Sequence, residues 1–61
     1  MPAQPGMLVV WEFPRSRFMV GFRKDGAIVL TCLEDLNESE HANEGAAHEF
    51  AEGYTPRKDA D

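Results

Sequence analysis

A chain of 61 residues holds one domain at most, and a domain this short buries only about 60% of the surface its unfolded chain exposes. Cys32 is the single cysteine, so no internal disulfide can form, which fits a reducing cytoplasm better than a secreted scaffold. The net charge of −5 opposes contact with nucleic acid or anionic lipid and favours basic protein surfaces.

Residues 1–6 contain Pro2, Pro5 and Gly6. They read as a flexible arm rather than a basic or long apolar leader. The first strand is expected over Met7–Phe13, which is dense in β-branched and aromatic residues, and Pro14 ends it because proline has no N–H for a ladder. The second is expected over Arg17–Arg23, where Phe18, Val20 and Phe22 alternate with Arg17, Met19, Gly21 and Arg23. Lys24-Asp25-Gly26 forms the next turn, with Asp-Gly supplying positive φ angles. The third strand is expected over Ala27–Leu33. Short connections make the three an antiparallel meander. No apolar run is long enough to cross a bilayer.

A helix is predicted over Glu38–Glu52. Asn37 would cap it, with Glu40 completing a capping box, and Gly53 and Pro56 would stop it. At 100° per residue, Ala42, Ala46, Ala47, Phe50 and Tyr54 form one apolar arc, with Phe50 as the main anchor on the sheet. Phe18, Val20, Phe22, Ile28, Leu30, Cys32, Val9 and Trp11 should line the covered sheet face. Leu8, Val10, Met19, Val29 and Leu33 should line the other, an apolar patch that suggests a homodimer. Residues 55–61 read as a disordered polar tail after a single domain at 7–54. The expected fold class is α+β, a three-stranded antiparallel meander with one helix on one face.

The charge is divided along the chain. Residues 1–33 set Arg15, Arg17, Arg23 and Lys24 against Glu12 and Asp25, a balance of +2. Residues 34–61 carry nine carboxylates against Arg57 and Lys58, a balance of −7, and no Lys or Arg falls between Glu34 and Gly53. Glu34, Asp35, Glu38, Glu40, Glu44, Glu49 and Glu52 are therefore the candidate partner-binding residues. DNA carries one charge per ~1.7 Å of axis and a helix rises ~1.5 Å per residue, so such a row can imitate a nucleic-acid backbone. The bland reading is a solvated face that aids solubility, but such faces usually mix signs.

Other constellations are weaker. His41, Glu44 and His48 have helical spacing and zinc-ligand chemistry, yet two helical turns place the imidazoles roughly 10 Å apart, so no metal or other cofactor is expected. Cys32 in an apolar strand reads as core, with a raised pKa. Trp11, Phe13, Phe18 and Phe22 beside Arg15, Arg17, Arg23 and Lys24 could stack bases, but their alternation explains the rings as core. No nucleophile elbow or phosphate loop is present, so an enzyme is not expected.

In size, acidity and β-β-β-α layout from Met7 to Gly53, the chain resembles the small anti-CRISPR proteins of phages and mobile elements, several of which are regarded as DNA mimics. The resemblance implies an inhibitor of a basic, nucleic-acid-binding effector complex in a host cytoplasm. The alternative is a small homo-oligomeric accessory protein with no nucleic-acid role.

Overall fold

The computed structural model describes residues 8–57. Four strands and one helix follow in order: β1 (Val9–Glu12), β2 (Arg17–Phe22), β3 (Ile28–Cys32), β4 (Glu38–His41) and α1 (Glu44–Glu52). The strands form one antiparallel sheet in the order β1-β2-β3-β4. The chain is thus a small α+β protein, with four strands where its sequence suggests three. The arm at residues 1–6 lies outside the described residues, as does the tail beyond Arg57.

Three short turns make the meander. Phe13 N–H donates to the Ser16 carbonyl at 2.8 Å across Pro14, whose fixed φ suits the second position of a turn. Lys24-Asp25-Gly26 bridges β2 and β3, closed by Arg23 N–H on the Ala27 carbonyl at 3.0 Å. Of these three residues only Gly26 takes a positive φ, 93°; Asp25 instead accepts from Ala27 N–H at 3.0 Å. Residues 33–36 bridge β3 and β4. There Leu36 holds φ 66°, a left-handed conformation costly for a residue with a Cβ.

The fourth strand corrects the expected helix start. Asn37 continues the β3–β4 ladder, its carbonyl accepting from Cys32 N–H at 2.9 Å, and Glu38–His41 pairs with Ile28–Thr31. The real cap is Asn43, whose side chain accepts from Ala46 N–H at 2.9 Å. Ala46 stands at the third helical position, so no capping box forms. Asn37 and Glu40 match the box in spacing only. Ladder bonds along four residues outweigh that local signal, because β4 gives β3 its second strand partner and sets Ser39 opposite Leu30.

Shortening the helix also rotates its buried face. Ala47 and Ala51 are buried, while Phe50 is 37% exposed and Ala42 precedes the helix. The main contact is therefore an i, i+4 alanine pair rather than Phe50. Those alanines sit on Phe18, Val20, Ile28, Leu30 and Cys32, all buried, with Val9, Trp11, Phe13, Phe22 and Tyr54 packed around them. The covered sheet face is the expected one.

Leu30→Ala should destabilise the fold by about 2–5 kcal/mol, while Phe50→Ala, at the helix margin, should cost clearly less in the same urea titration. Relief of strain at the turn gives a test of opposite sign. Leu36→Asn should raise stability by about 1 kcal/mol, since asparagine tolerates the left-handed region; an unchanged or lower melting temperature would refute that account.

Candidate functional site

The seven candidate carboxylates fall into three groups, set by the elements that carry them. Glu34 and Asp35 lie in the β3–β4 turn. Glu38 and Glu40 lie on β4, not on a helix. Glu44, Glu49 and Glu52 lie on α1.

The turn pair makes internal bonds. Glu34 accepts from Arg17 N–H at 2.9 Å and from Arg17 Nε at 3.1 Å, tying the turn to the start of β2. The Arg17 N–H bond holds the Glu34 carboxyl below its ordinary pKa, with the guanidinium assisting. Asp35 is a wider hub. The Tyr54 hydroxyl donates to its Oδ2, Asn37 N–H to Oδ1 at 2.9 Å, and Arg57 N–H to Oδ2 at 3.0 Å. Asn37 Nδ2 joins both groups, at 3.1 Å from the Tyr54 oxygen and 3.2 Å from Asp35. The tyrosine bond holds Asp35 well below the usual carboxylate range and, reciprocally, pushes Tyr54 up. Glu34 thereby ties the turn to β2, and Asp35 fastens the segment after α1 to the turn.

Glu38 and Glu40 follow the pleat of β4. Ser39 and His41 pair with Leu30 and Ile28 and face the helix, so Glu38 and Glu40 face the opposite, uncovered side beside Thr31 and Val29. Glu40 lies 3.8 Å from Arg23 Nε. His41 is therefore on a strand, its ring 4.6 Å from that of Phe50 and its Nε2 2.8 Å from Ser39 Oγ. The helical His41–Glu44–His48 stripe does not exist. Among the described residues, no group of three or more His, Cys, Asp or Glu side chains is placed to hold a metal ion.

The helical acids form the exposed ridge of the molecule. Glu44, His48 and Glu52 make one i, i+4 row, flanked by Gly45 and Glu49. His48 Nδ1 is 3.3 Å from the Glu52 carboxylate, and its ring lies 5.2 Å from both Trp11 and Phe13, edge-on. α1 carries no Lys or Arg. Glu44 in the first turn suits the positive end of the helix dipole. Glu49 and Glu52 occupy the negative end, where carboxylates are disfavoured and cations are the stabilising choice.

Cys32 is fully buried, 3.6 Å from Glu34 Oε1, and burial pushes its thiol up, away from nucleophile chemistry. Phe18 is buried and Phe22 lies against the core, which removes both from any base-stacking surface. Among the described residues, no helix is long and apolar enough to cross a membrane. No protein-family model matches the chain significantly, and neither a curated protein nor a solved structure does. The uncovered face bearing Glu38 and Glu40 could not be found from helical periodicity; the alternation of Glu38, Ser39, Glu40 and His41 was its one signal.

The Asp35 hub has a pH signature. Its folded pKa is depressed, so its contribution is present above the unfolded value, ~3.9, and is lost as pH falls below that point. Tyr54 acts in the other direction: its contribution is present below ~10 and declines as pH rises past it. Asp35→Asn should lower the melting temperature at neutral pH and shrink the drop between neutral pH and about pH 3. A variant with the parent's full acid dependence would place that dependence elsewhere.

Proposed function

We propose that the protein is an acidic interaction module that binds the basic surface of a nucleic-acid-binding protein and so competes with nucleic acid there. The carrying observation is the exposed α1 ridge of Glu44, Glu49 and Glu52, with no Lys or Arg on the helix and two acids at its unfavourable end. The helix dipole argues for lysine at those positions, and solubility, which carboxylates serve well, does not require them at the disfavoured end. A requirement for negative charge there accounts for the placement.

The carboxylates form a short charged row. Three over Glu44–Glu52 span ~12 Å of helix axis, one per ~6 Å, against ~3.4 Å per charge along one DNA strand, so the row offers roughly half the linear charge density of a strand. Four strands replace the three on which the anti-CRISPR resemblance was drawn, so the inhibitor reading rests on charge rather than on layout. Glu34 and Asp35 serve the fold first and are secondary to the ridge as partner contacts. A CRISPR effector is one example of such a basic partner.

Glu49→Lys with Glu52→Lys provides the test. The double variant should melt at or slightly above the parent temperature, because both charges then suit the helix dipole, at ~0.3–1 kcal/mol each. In affinity capture from host lysate at low salt, the parent should retain a basic nucleic-acid-binding protein that added DNA displaces and the variant does not retain. Equal retention by the two proteins, or no displacement by DNA, would defeat the reading. The protein alone should not shift DNA or RNA in a gel at physiological salt.

A further inference from the structure

The face of the sheet opposite α1 carries a graded surface. Strand register places its side chains in rows: Leu8, Gly21, Val29 and Glu40 in one, Val10, Met19, Thr31 and Glu38 in the next. The β1 side is apolar and open, with Leu8 74%, Val10 47% and Met19 41% exposed. The β4 side is acidic. Between them the missing side chain of Gly21 leaves a groove of about 360 Å³, walled by Leu8, Met19, Val29 and Thr31 and ending at Glu38.

We propose that this groove docks a basic amphipathic segment of a partner protein, with a large apolar side chain seated over Gly21 and an adjacent lysine or arginine on Glu38 and Glu40. Two interstrand spacings, ~10 Å, separate the floor at Gly21 from Glu40, a span that the stem and head of a lysine or arginine cover beside an anchored residue. Among the described residues, the cation paired with Glu40 is Arg23, at 3.8 Å and half exposed, so an incoming guanidinium or ammonium competes with a weak pair.

A second copy centred on this face in aligned packing meets a charge conflict. In aligned packing, two stacked sheets keep their strands within about 30° of one another. With the twofold axis along the strands, β1 of one copy covers β4 of the other, and Glu38 and Glu40 press on Leu8 and Val10. With the axis across the strands, β4 covers β4, and the carboxylates of the two copies meet. A charge-complementary partner avoids both conflicts. This surface is separate from the α1 ridge and stands whether or not the ridge binds a nucleic-acid-binding protein.

The probe is a short synthetic peptide alternating leucine and lysine, titrated into the full chain with backbone amide shifts followed by NMR. Shifts should centre on Gly21, Val29, Thr31 and Glu38. Gly21→Val should weaken binding by about tenfold or more, as expected for filling an anchor pocket. Its β-carbon would stand 3.7–3.8 Å from Val29, an ordinary contact, and a β-branched residue suits a strand. Glu38→Lys with Glu40→Lys, both on exposed side chains, gives a second variant that should also lose binding. A leucine–glutamate peptide and a serine–lysine peptide should bind far more weakly. Three results would each overturn the proposal: shifts confined to α1, affinity unchanged by Gly21→Val, or self-association in sedimentation velocity that Gly21→Val abolishes. Groove shifts that persist when the parent and the Glu49→Lys, Glu52→Lys variant capture the lysate partner equally would mark failure at the ridge alone, and absent groove shifts with capture lost in that variant would mark failure here alone.

Discussion

The fold depends on one close contact. α1 buries two alanines, Ala47 and Ala51, against a sheet face built by Phe18, Val20, Ile28, Leu30 and Cys32. Small side chains let the helix approach, but two alanines bring little apolar area of their own. The margin is sealed by rings instead. Trp11, Phe13, Phe18 and Tyr54 run in edge-on contacts of 5.5–6.4 Å, and Tyr54 continues to Phe50 at 5.3 Å and Phe50 to His41 at 4.6 Å. Such contacts add ~0.5–1.5 kcal/mol each beyond burial, a large share in a domain of marginal stability. β1, β4 and the segment after α1 all contribute rings, so each of them is held by the helix it helps to hold.

The polar counterpart of that seal is the Asp35 hub. A nine-residue helix is too short to persist on its own in water, and its C-terminal end has no basic residue to favour it. Tyr54, two residues past its last turn, is fixed on one side by Phe18 and Phe50 and on the other by Asp35. The β3–β4 turn that carries Asp35 includes Leu36 at positive φ. Strain of this kind persists where surrounding bonds over-determine the chain, and here Leu36 N–H on the Cys32 carbonyl at 2.8 Å and Asn37 N–H on Asp35 do so.

The carboxylates divide along the same line. Carboxylates that serve the turn are bonded inward and held in their ionised form. Those on α1 and β4 point to solvent on opposite sides of the molecule, one set on a ridge without Lys or Arg and the other bordering an apolar groove. The two surfaces differ in what they can recognise. A ridge of charge is sensitive to salt and indifferent to shape, whereas a groove with a glycine floor selects for the side chain that fills it.

Much of this was legible in the residues alone. Period-two alternation marked Arg17–Phe22, the runs around Val9–Glu12 and Ile28–Cys32 marked their neighbours, and those strands assigned each apolar side chain to its face correctly. The acidic bias of the second half and its lack of lysine and arginine were equally plain. The fourth strand was not, because Glu38-Ser39-Glu40-His41 contains no apolar residue: its inward positions are small or polar and gain their place only by pairing with β3 and lying under α1. Asn37 and Asn43 are both competent caps in isolation, and a box-like spacing favoured the wrong one. The sequence by itself determined the strands whose burial is written in their own side chains, and the sign of the surface. Only the tertiary structure decided where the helix begins, which of its faces is buried and on which side of the molecule each carboxylate stands, because a polar edge strand is stabilised by its neighbour's free N–H and C=O groups rather than by anything within it.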